Sequence, residues 1–122
     1  MKIYNFGSET GKKIDAFDSK NLIMTKILNG TKDTHVGCMY IEANGIVGLH
    51  QAVTPQLFLV MSGEGIVKGK GDKELIIKAG FAAYWEAEEW HETKTETGLT
   101  AIVIEGITLE LMMEEKEWLK TN

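Results

Sequence analysis

Short apolar segments rich in β-branched and aromatic residues recur about every ten residues along this chain, with glycine-bearing turns between them. Examples are LIMTKIL, QLFLVM, ELIIK and LTAIVIEG. Strands of this length, evenly spaced and separated by turn signals, are typical of an antiparallel sandwich or barrel. The 13 glycines and the single proline fit a chain that reverses direction often. The sequence therefore predicts an all-β fold.

Four short stretches predict where the chain turns. Asn29-Gly30 and Asn44-Gly45 are strong tight-turn signals, and Gly63-Glu64-Gly65 and 70–73 can also reverse the chain between adjacent strands. No linker divides these segments, and the length of 122 residues suits one hydrophobic core. We therefore expect a single domain over residues 1–122.

The C-terminal tail, TLELMMEEKEWLKTN, differs from the rest of the chain. Its apolar residues follow a helical spacing, and Thr108 is a suitable N-cap. These features predict a helix over 109–120 whose apolar face includes Leu109, Met112, Met113 and Leu119. Such a face needs a surface to cover, either the end of the barrel or a second subunit.

The charge of the chain excludes some kinds of partner. The net charge is −5 and all 13 basic residues are lysine, which argues against nucleic acid because that affinity rests on clustered cations. The single cysteine, Cys38, excludes an intramolecular disulfide and fits a reducing compartment. No apolar segment is long enough to span a bilayer. We therefore expect a cytoplasmic protein that binds neither nucleic acid nor membrane.

Two histidine-bearing stretches show a spaced motif. In GIVGLHQAVTPQLFLVMSGEG, His50 is followed by Ala52, Gln56 and Gly63; in GFAAYWEAEEWHETKT, His91 follows an opening glycine. The spacing over 40–107 resembles the cupin superfamily. That resemblance implies a double-stranded β-helix barrel of the jelly-roll type, and commonly a homodimer. It also implies a central metal site of three histidines and one glutamate.

The same resemblance places the candidate site residues. His50 and His91 match two metal ligands, Ala52 replaces the third histidine, and Gln56 replaces the glutamate. His50, His91 and Gln56 are therefore the candidate ligands for one divalent transition metal, with Zn, Ni or Cu favoured by the imidazoles and Fe or Mn as further family metals. A neutral amide is a poorer partner for a divalent cation than a carboxylate.

Strand alternation predicts what surrounds these groups. Side chains two apart share a face of a sheet, so if Gln56 points inward, Phe58 does too. His50, Gln56 and His91 would then form a polar cluster beside an apolar wall of Phe58 with Trp85 or Trp90, and this is the usual composition of a small-molecule pocket. The alternative is that the polar groups satisfy one another inside a degenerate barrel.

Two other residues carry two interpretations each. Cys38 and Glu89 could complete a metal shell, but a lone cysteine is more often a small buried apolar side chain, and Glu89 fits a solvated acidic rim. His35 reads as a surface residue at a strand end. No nucleophile motif or phosphate-binding loop is present in the sequence.

These residues leave three functions open. The chain can be a small-molecule-binding domain without turnover, in which the histidines donate hydrogen bonds to an anionic or polar ligand. It can instead be a metal-dependent enzyme of the dioxygenase or isomerase type, or a structural or interaction domain with a vestigial pocket. Whether the protein is catalytic is left open by the sequence.

Overall fold

The structure, a computed structural model, describes residues 4–5, 8–31 and 33–115. This part of the chain forms eight strands: β1 (Lys12–Lys13), β2 (Lys20–Thr31), β3 (Thr34–Gln51), β4 (Gln56–Lys68), β5 (Glu74–Lys78), β6 (Ala82–Trp85), β7 (Trp90–Lys94) and β8 (Leu99–Gly106). Single turns of 3₁₀ helix lie at Ser8–Thr10, Ala16–Asp18 and Lys70–Asp72. The predicted all-β class is confirmed.

The two longest strands, β3 and β4, bend and so join two sets of partners. Residues 34–41 of β3 pair with β8, and residues 46–51 pair with β7. The bend between them includes Asn44, whose φ is 61°, a left-handed conformation that asparagine adopts more readily than most residues. β4 contains Gly63 with φ of 79°, and beyond it residues 64–68 pair with β5.

Two of the predicted turns are therefore bends inside strands. Asn44-Gly45 and Gly63-Glu64-Gly65 change the direction of β3 and β4 without ending them. The predicted turn at 70–73 does connect two strands, since Lys70–Asp72 lies between β4 and β5, whereas the one predicted at 29–30 lies within β2. The sheet follows the order β1-β2-β3-β7-β4-β5, with β6 paired to β4 and β8 paired to both β3 and β4. β3 and β4 thus hold the fold together.

The core lies between the inner faces of these strands. Phe58 on β4 is opposite Val103 on β8, and Val60 is opposite Ala101. Because residues two apart share a face, these four side chains form one inner row, in which Phe58 is 1 % exposed and Ala101 0 %. Removing a phenylalanine side chain from water stabilises a fold by about 2 to 3 kcal/mol. This row continues toward the polar groups described below.

The predicted C-terminal helix is not shown. Residues 109–115 have no regular structure, and Met112 and Met113 are 86 % and 48 % exposed. A helix of this length depends on tertiary packing, which these exposed side chains lack. The rest of the predicted helix, 116–120, lies outside the described residues. Within the described residues, no helix is long and apolar enough to cross a membrane.

Candidate functional site

The structure brings the two motif histidines into contact. His50 on β3 and His91 on β7 are partners in the strand register. Their ring centroids are 4.3 Å apart and the rings are tilted by 57°. A register shift in β3 between Val47 and His50 accompanies this pairing, and such bulges commonly redirect a side chain next to a site. We call these two residues the imidazole pair.

Backbone carbonyls fix the tautomer of both rings. Nδ1 of His50 lies 2.7 Å from the carbonyl oxygen of Gly48, and Nδ1 of His91 lies 3.3 Å from that of Glu89. A carbonyl oxygen can only accept a hydrogen bond, so Nδ1 is the donor in each ring. In a neutral imidazole the other nitrogen, Nε2, is then an acceptor. The imidazole pair therefore presents two acceptor lone pairs.

His91 carries a buried acceptor without a protein partner. The residue is 2 % exposed, and within the described residues its Nε2 forms no hydrogen bond. Burial, and secondarily the charge of neighbouring His50, lower the pKa of His91 from 6.5 to about 4. The ring is therefore neutral at neutral pH, and Nε2 stays an acceptor.

Aromatic rings pack on both members of the imidazole pair. Trp85 stacks on His91 with centroids 4.5 Å apart, and Phe58 packs against Trp85 at 5.8 Å. On the other side, Phe17 lies nearly parallel to His50, with centroids 4.2 Å apart and an interplanar angle of 6°. The imidazole pair is thus enclosed by aromatic faces, which restrict the orientation of both rings.

Phe17 reaches His50 because of an unusual local backbone. Phe17 has φ of 59° and Asp18 has φ of 58°, a region that non-glycine residues rarely adopt. The carbonyl of Phe17 approaches the backbone of Gly48 so closely that a Cβ at that position would overlap it. No motif or periodicity in the sequence marks Phe17, because its contact with His50 depends on this backbone conformation.

Gln56 forms a second polar pair, with Glu105 of β8. Its Nε2 donates to Glu105 Oε1 over 2.8 Å, and the two residues are opposite each other in the register. Gln56 is also the register partner of Trp85, the residue that stacks on His91. The predicted cluster of His50, Gln56 and His91 is therefore organised as two pairs, with Trp85 adjoining both.

Trp85, rather than Trp90, contacts the imidazole pair. Trp85 is 4 % exposed, whereas Trp90 is 53 % exposed. Trp90 is the neighbour of His91 along β7, and consecutive residues of a strand point to opposite faces. Of the two tryptophans predicted as alternatives for the pocket wall, Trp85 is the one that stacks on His91.

Neither of the additional metal ligands considered above joins the imidazole pair. Cys38 is buried and lies beside Tyr40, whose pKa it raises to about 12 through a side-chain hydrogen bond. Both carboxylate oxygens of Glu89 accept backbone hydrogen bonds, from the amides of Glu86 and Lys70, each over 3.0 Å. Glu89 therefore holds two loops together.

The donor set does not fit a metal held by three or more protein ligands. The imidazole pair offers two nitrogen lone pairs and Ala52 offers none, while Gln56 donates its amide nitrogen to Glu105 and has only a neutral amide oxygen to offer. Over the described ranges, no group of three or more His, Cys, Asp or Glu residues could hold a metal ion. Zinc sites and most other transition-metal sites use at least three protein donors.

A cavity lies at the same end of the inner face. Its volume is about 310 Å³, and it is lined by Met24, Lys26, His35, Val36, Gly37, Val103 and Glu105. Glu105 therefore borders both the cavity and the Gln56 side chain. His35 is exposed near the start of β3, as predicted, but it also lines this cavity. The register that places Glu105 and His35 together is not readable from local sequence.

Solved structures share this architecture at low sequence identity. A predicted oxalate decarboxylase from Thermotoga maritima is 22% identical, with a TM-score of 0.74, covering 86% of this chain and 100% of that one. The polyketide cyclase RemF from Streptomyces resistomycificus is 14% identical, with a TM-score of 0.77 and coverage of 88% and 80%. An RmlC-like cupin from Shewanella frigidimarina is 17% identical, with a TM-score of 0.72 and coverage of 90% and 95%.

These similarities establish the fold and not an activity. At such identities the neighbours show a common jelly-roll architecture, and the activities in their names differ. None of the curated proteins matches the chain. The family model of the cupin domain matches residues 38–107, more than half of the sequence. The chain belongs to the cupin domain family.

Proposed function

We propose that this cupin domain binds a small polar molecule that donates a hydrogen bond to Nε2 of His91. The observation that carries the proposal is the buried Nε2, which has no partner among the residues that the structure describes. Leaving a buried acceptor unsatisfied costs about 1 to 3 kcal/mol, and a ligand hydroxyl group would remove that cost by donating to it. The ligand would bind in the neutral-imidazole state that the lowered pKa of His91 favours.

The surroundings of His91 favour binding over plain core packing. A phenylalanine at position 91 could also stack on Trp85 and would bury no polar atom. An imidazole there adds a desolvated acceptor, held in one tautomer by the carbonyl of Glu89. Buried polar atoms without partners are rare in folded proteins and often mark a functional group. His50 lies next to His91, and its own Nε2 would be a second hydrogen-bond acceptor for the ligand.

A metal-dependent dioxygenase or isomerase is the second candidate, and the family resemblance is its main support. It would need a third donor beyond His50 and His91, and the neutral amide oxygen of Gln56, a weak partner for a divalent cation, is the family-position candidate. A structural domain with a vestigial pocket is the third candidate. It predicts that replacing His91 by an apolar ring has no effect on the binding of any small molecule.

The test follows the His91 nitrogen directly. Protein labelled with ¹⁵N would be titrated with small alcohols, phenols and carboxylic acids at neutral pH, and the Nε2 resonance of His91 followed by long-range proton–nitrogen correlation. A binder should shift that resonance upfield and raise the melting temperature, because it binds only the folded state.

Two variants complete this test. His91→Phe keeps a ring on Trp85 and should abolish the thermal shift. Trp90→Phe changes the exposed neighbour on β7 and should retain it. If every compound of the panel leaves the His91 Nε2 resonance and the melting temperature unchanged, the proposed function is wrong and the structural reading is favoured.

A further inference from the structure

The polar residues around the cavity share one face of the sheet. Lys26 on β2 is the register partner of Gly37 on β3, which in turn pairs with Val103 of the core. His35, two residues before Gly37, pairs with Glu105, two residues after Val103. Directly opposed residues of antiparallel strands point to the same face. Lys26, His35 and Glu105 therefore project from three strands to the inner side.

The cavity exists because the inner row of β3 lacks a side chain at position 37. A Cβ at Gly37 would lie 2.8 Å from Sδ of Met24, so any larger residue would enter the space that Met24 borders. The core is filled at the next inner position of β3, where Met39 is 8 % exposed. The open volume is thus confined to the end of the inner face, where the polar side chains lie.

The cavity is lined by charged groups of both signs, and among the described residues they form no salt bridge with each other. Lys26 provides one cation, Glu105 one carboxylate and His35 an imidazole. Within the residues that the structure describes, neither Lys26 nor Glu105 takes part in a salt bridge. Glu105 Oε1 accepts the hydrogen bond from Gln56, which orients the carboxylate. One cation and one anion facing a common space suit a ligand that itself combines an anionic group with a hydrogen-bond donor.

We propose that this cavity binds a small carboxylic acid that carries an α-hydroxyl or α-amino group. Its carboxylate would pair with the Lys26 ammonium and accept a hydrogen bond from His35, and its hydroxyl or amino group would donate to Glu105. The cavity is lined by one lysine, and the chain contains no arginine. One lysine matches one carboxylate better than a doubly charged phosphate, which Glu105 would also repel. The volume of about 310 Å³ is at the lower end of ligand pockets, which suits a molecule of this size.

This inference deepens the proposed function and rests on it. Glu105 is hydrogen-bonded to Gln56, Gln56 is the register partner of Trp85, and Trp85 stacks on His91. The cavity and the imidazole pair are therefore parts of one end of the inner face. The cavity would bind the carboxylate and its α-hydroxyl or α-amino group, and a second hydroxyl of a larger ligand would donate to His91 Nε2.

The test compares matched probes by amide proton–nitrogen correlation spectra. Lactate and alanine carry both groups, propionate lacks the donor, and lactamide lacks the carboxylate. We expect lactate or alanine to shift the amide resonances around Lys26, His35 and Glu105 in a saturable way. Propionate should bind about tenfold more weakly and lactamide weaker still, as expected for losing a hydrogen bond to a charged group.

Variants separate the two charged contacts. Lys26→Met keeps the aliphatic stem and should weaken lactate or alanine about tenfold or more. Glu105→Gln keeps a hydrogen-bond acceptor for Gln56 and should abolish the preference for lactate or alanine over propionate. Lys12→Met, on the exposed strand β1, is the matched control and should leave binding unchanged. The spectra themselves report whether each variant is folded.

Three outcomes overturn the inference. One is that no probe binds saturably; another is that the probes bind Lys26→Met and Glu105→Gln as tightly as wild type. A third is that inorganic phosphate, and no carboxylate, binds in a way that depends on Lys26. Each of these leaves the proposed function to be decided separately, by the Nε2 resonance of His91 and its response to the wider panel.

Discussion

Lowering the pH from 7.5 to 4 should destabilise the protein through His91 in particular. An unfolded histidine takes up a proton near its ordinary pKa of 6.5, whereas burial and His50 lower the pKa of His91 in the folded protein to about 4. Between these values the unfolded chain binds more protons than the folded protein. The free energy of unfolding contributed by His91 is therefore fully present above pH 6.5 and is lost progressively as the pH falls toward 4.

The magnitude follows from the same two values. One pKa unit corresponds to about 1.4 kcal/mol, so the interval from 6.5 to about 4 sets an upper limit of about 3 kcal/mol. Relaxation of the imidazole pair on protonation reduces this, and we expect about 2 kcal/mol. For a chain of 122 residues, that loss corresponds to a fall in the melting temperature of roughly 10 °C.

The assay is urea denaturation followed by far-UV circular dichroism at several pH values between 4 and 8. Other ionisable groups also contribute to the pH dependence of stability, so the wild type is compared with His91→Phe, in which those contributions largely cancel. The difference in unfolding free energy between the two proteins should shift by about 2 kcal/mol in favour of the variant as the pH falls to 4. Parallel curves for the two proteins would refute the account of His91 as a buried neutral imidazole.

Three further predictions concern the backbone packing around Phe17, the metal content of the protein and its oligomeric state. Gly48→Ala should displace the Phe17 turn and cost about 1 to 3 kcal/mol of unfolding free energy in the same denaturation assay, whereas Gly37→Ala, which meets only a flexible methionine end, should cost less. Untagged protein should contain transition metal far below one equivalent by elemental analysis; stoichiometric metal that is lost in both His50→Ala and His91→Ala would contradict the conclusion from the donor set. The homodimer implied by the family resemblance stays a prediction, and sedimentation velocity should give twice the mass of the chain; a monomer at micromolar concentration would exclude it.

The strands were predictable because their signals are local. Alternating apolar residues and glycines identify where strands lie, and the described residues confirm the all-β class. The same signals could not separate a turn from a bend, since Asn44 and Gly63 adopt positive φ in either case. The C-terminal helix was predicted from spacing alone, and residues 109–115 lack the packed surface that such a helix would need.

The site was predictable only as far as its motif extends. The spacing of His50 and His91 implied their contact through the family resemblance, and the rings do touch. The roles of Phe17 and Glu105 arise from a left-handed backbone and from the pairing of strands far apart in sequence. Neither leaves a local signal. Gln56 was expected beside the histidines, but its amide is directed to Glu105 because both are inner residues at the same register position.

The double pairing of β8 has a consequence for the order in which the protein can assemble. Leu99–Gly106 forms ladders with both β3 and β4 and supplies Glu105, and it follows both of these strands in the sequence. Until residue 106 has been synthesised, β3 and β4 lack this partner on the ribosome, and unpaired strand edges invite association with other chains. The cavity that Glu105 lines is completed only when β8 pairs with both strands, and the same step covers the exposed edges of β3 and β4.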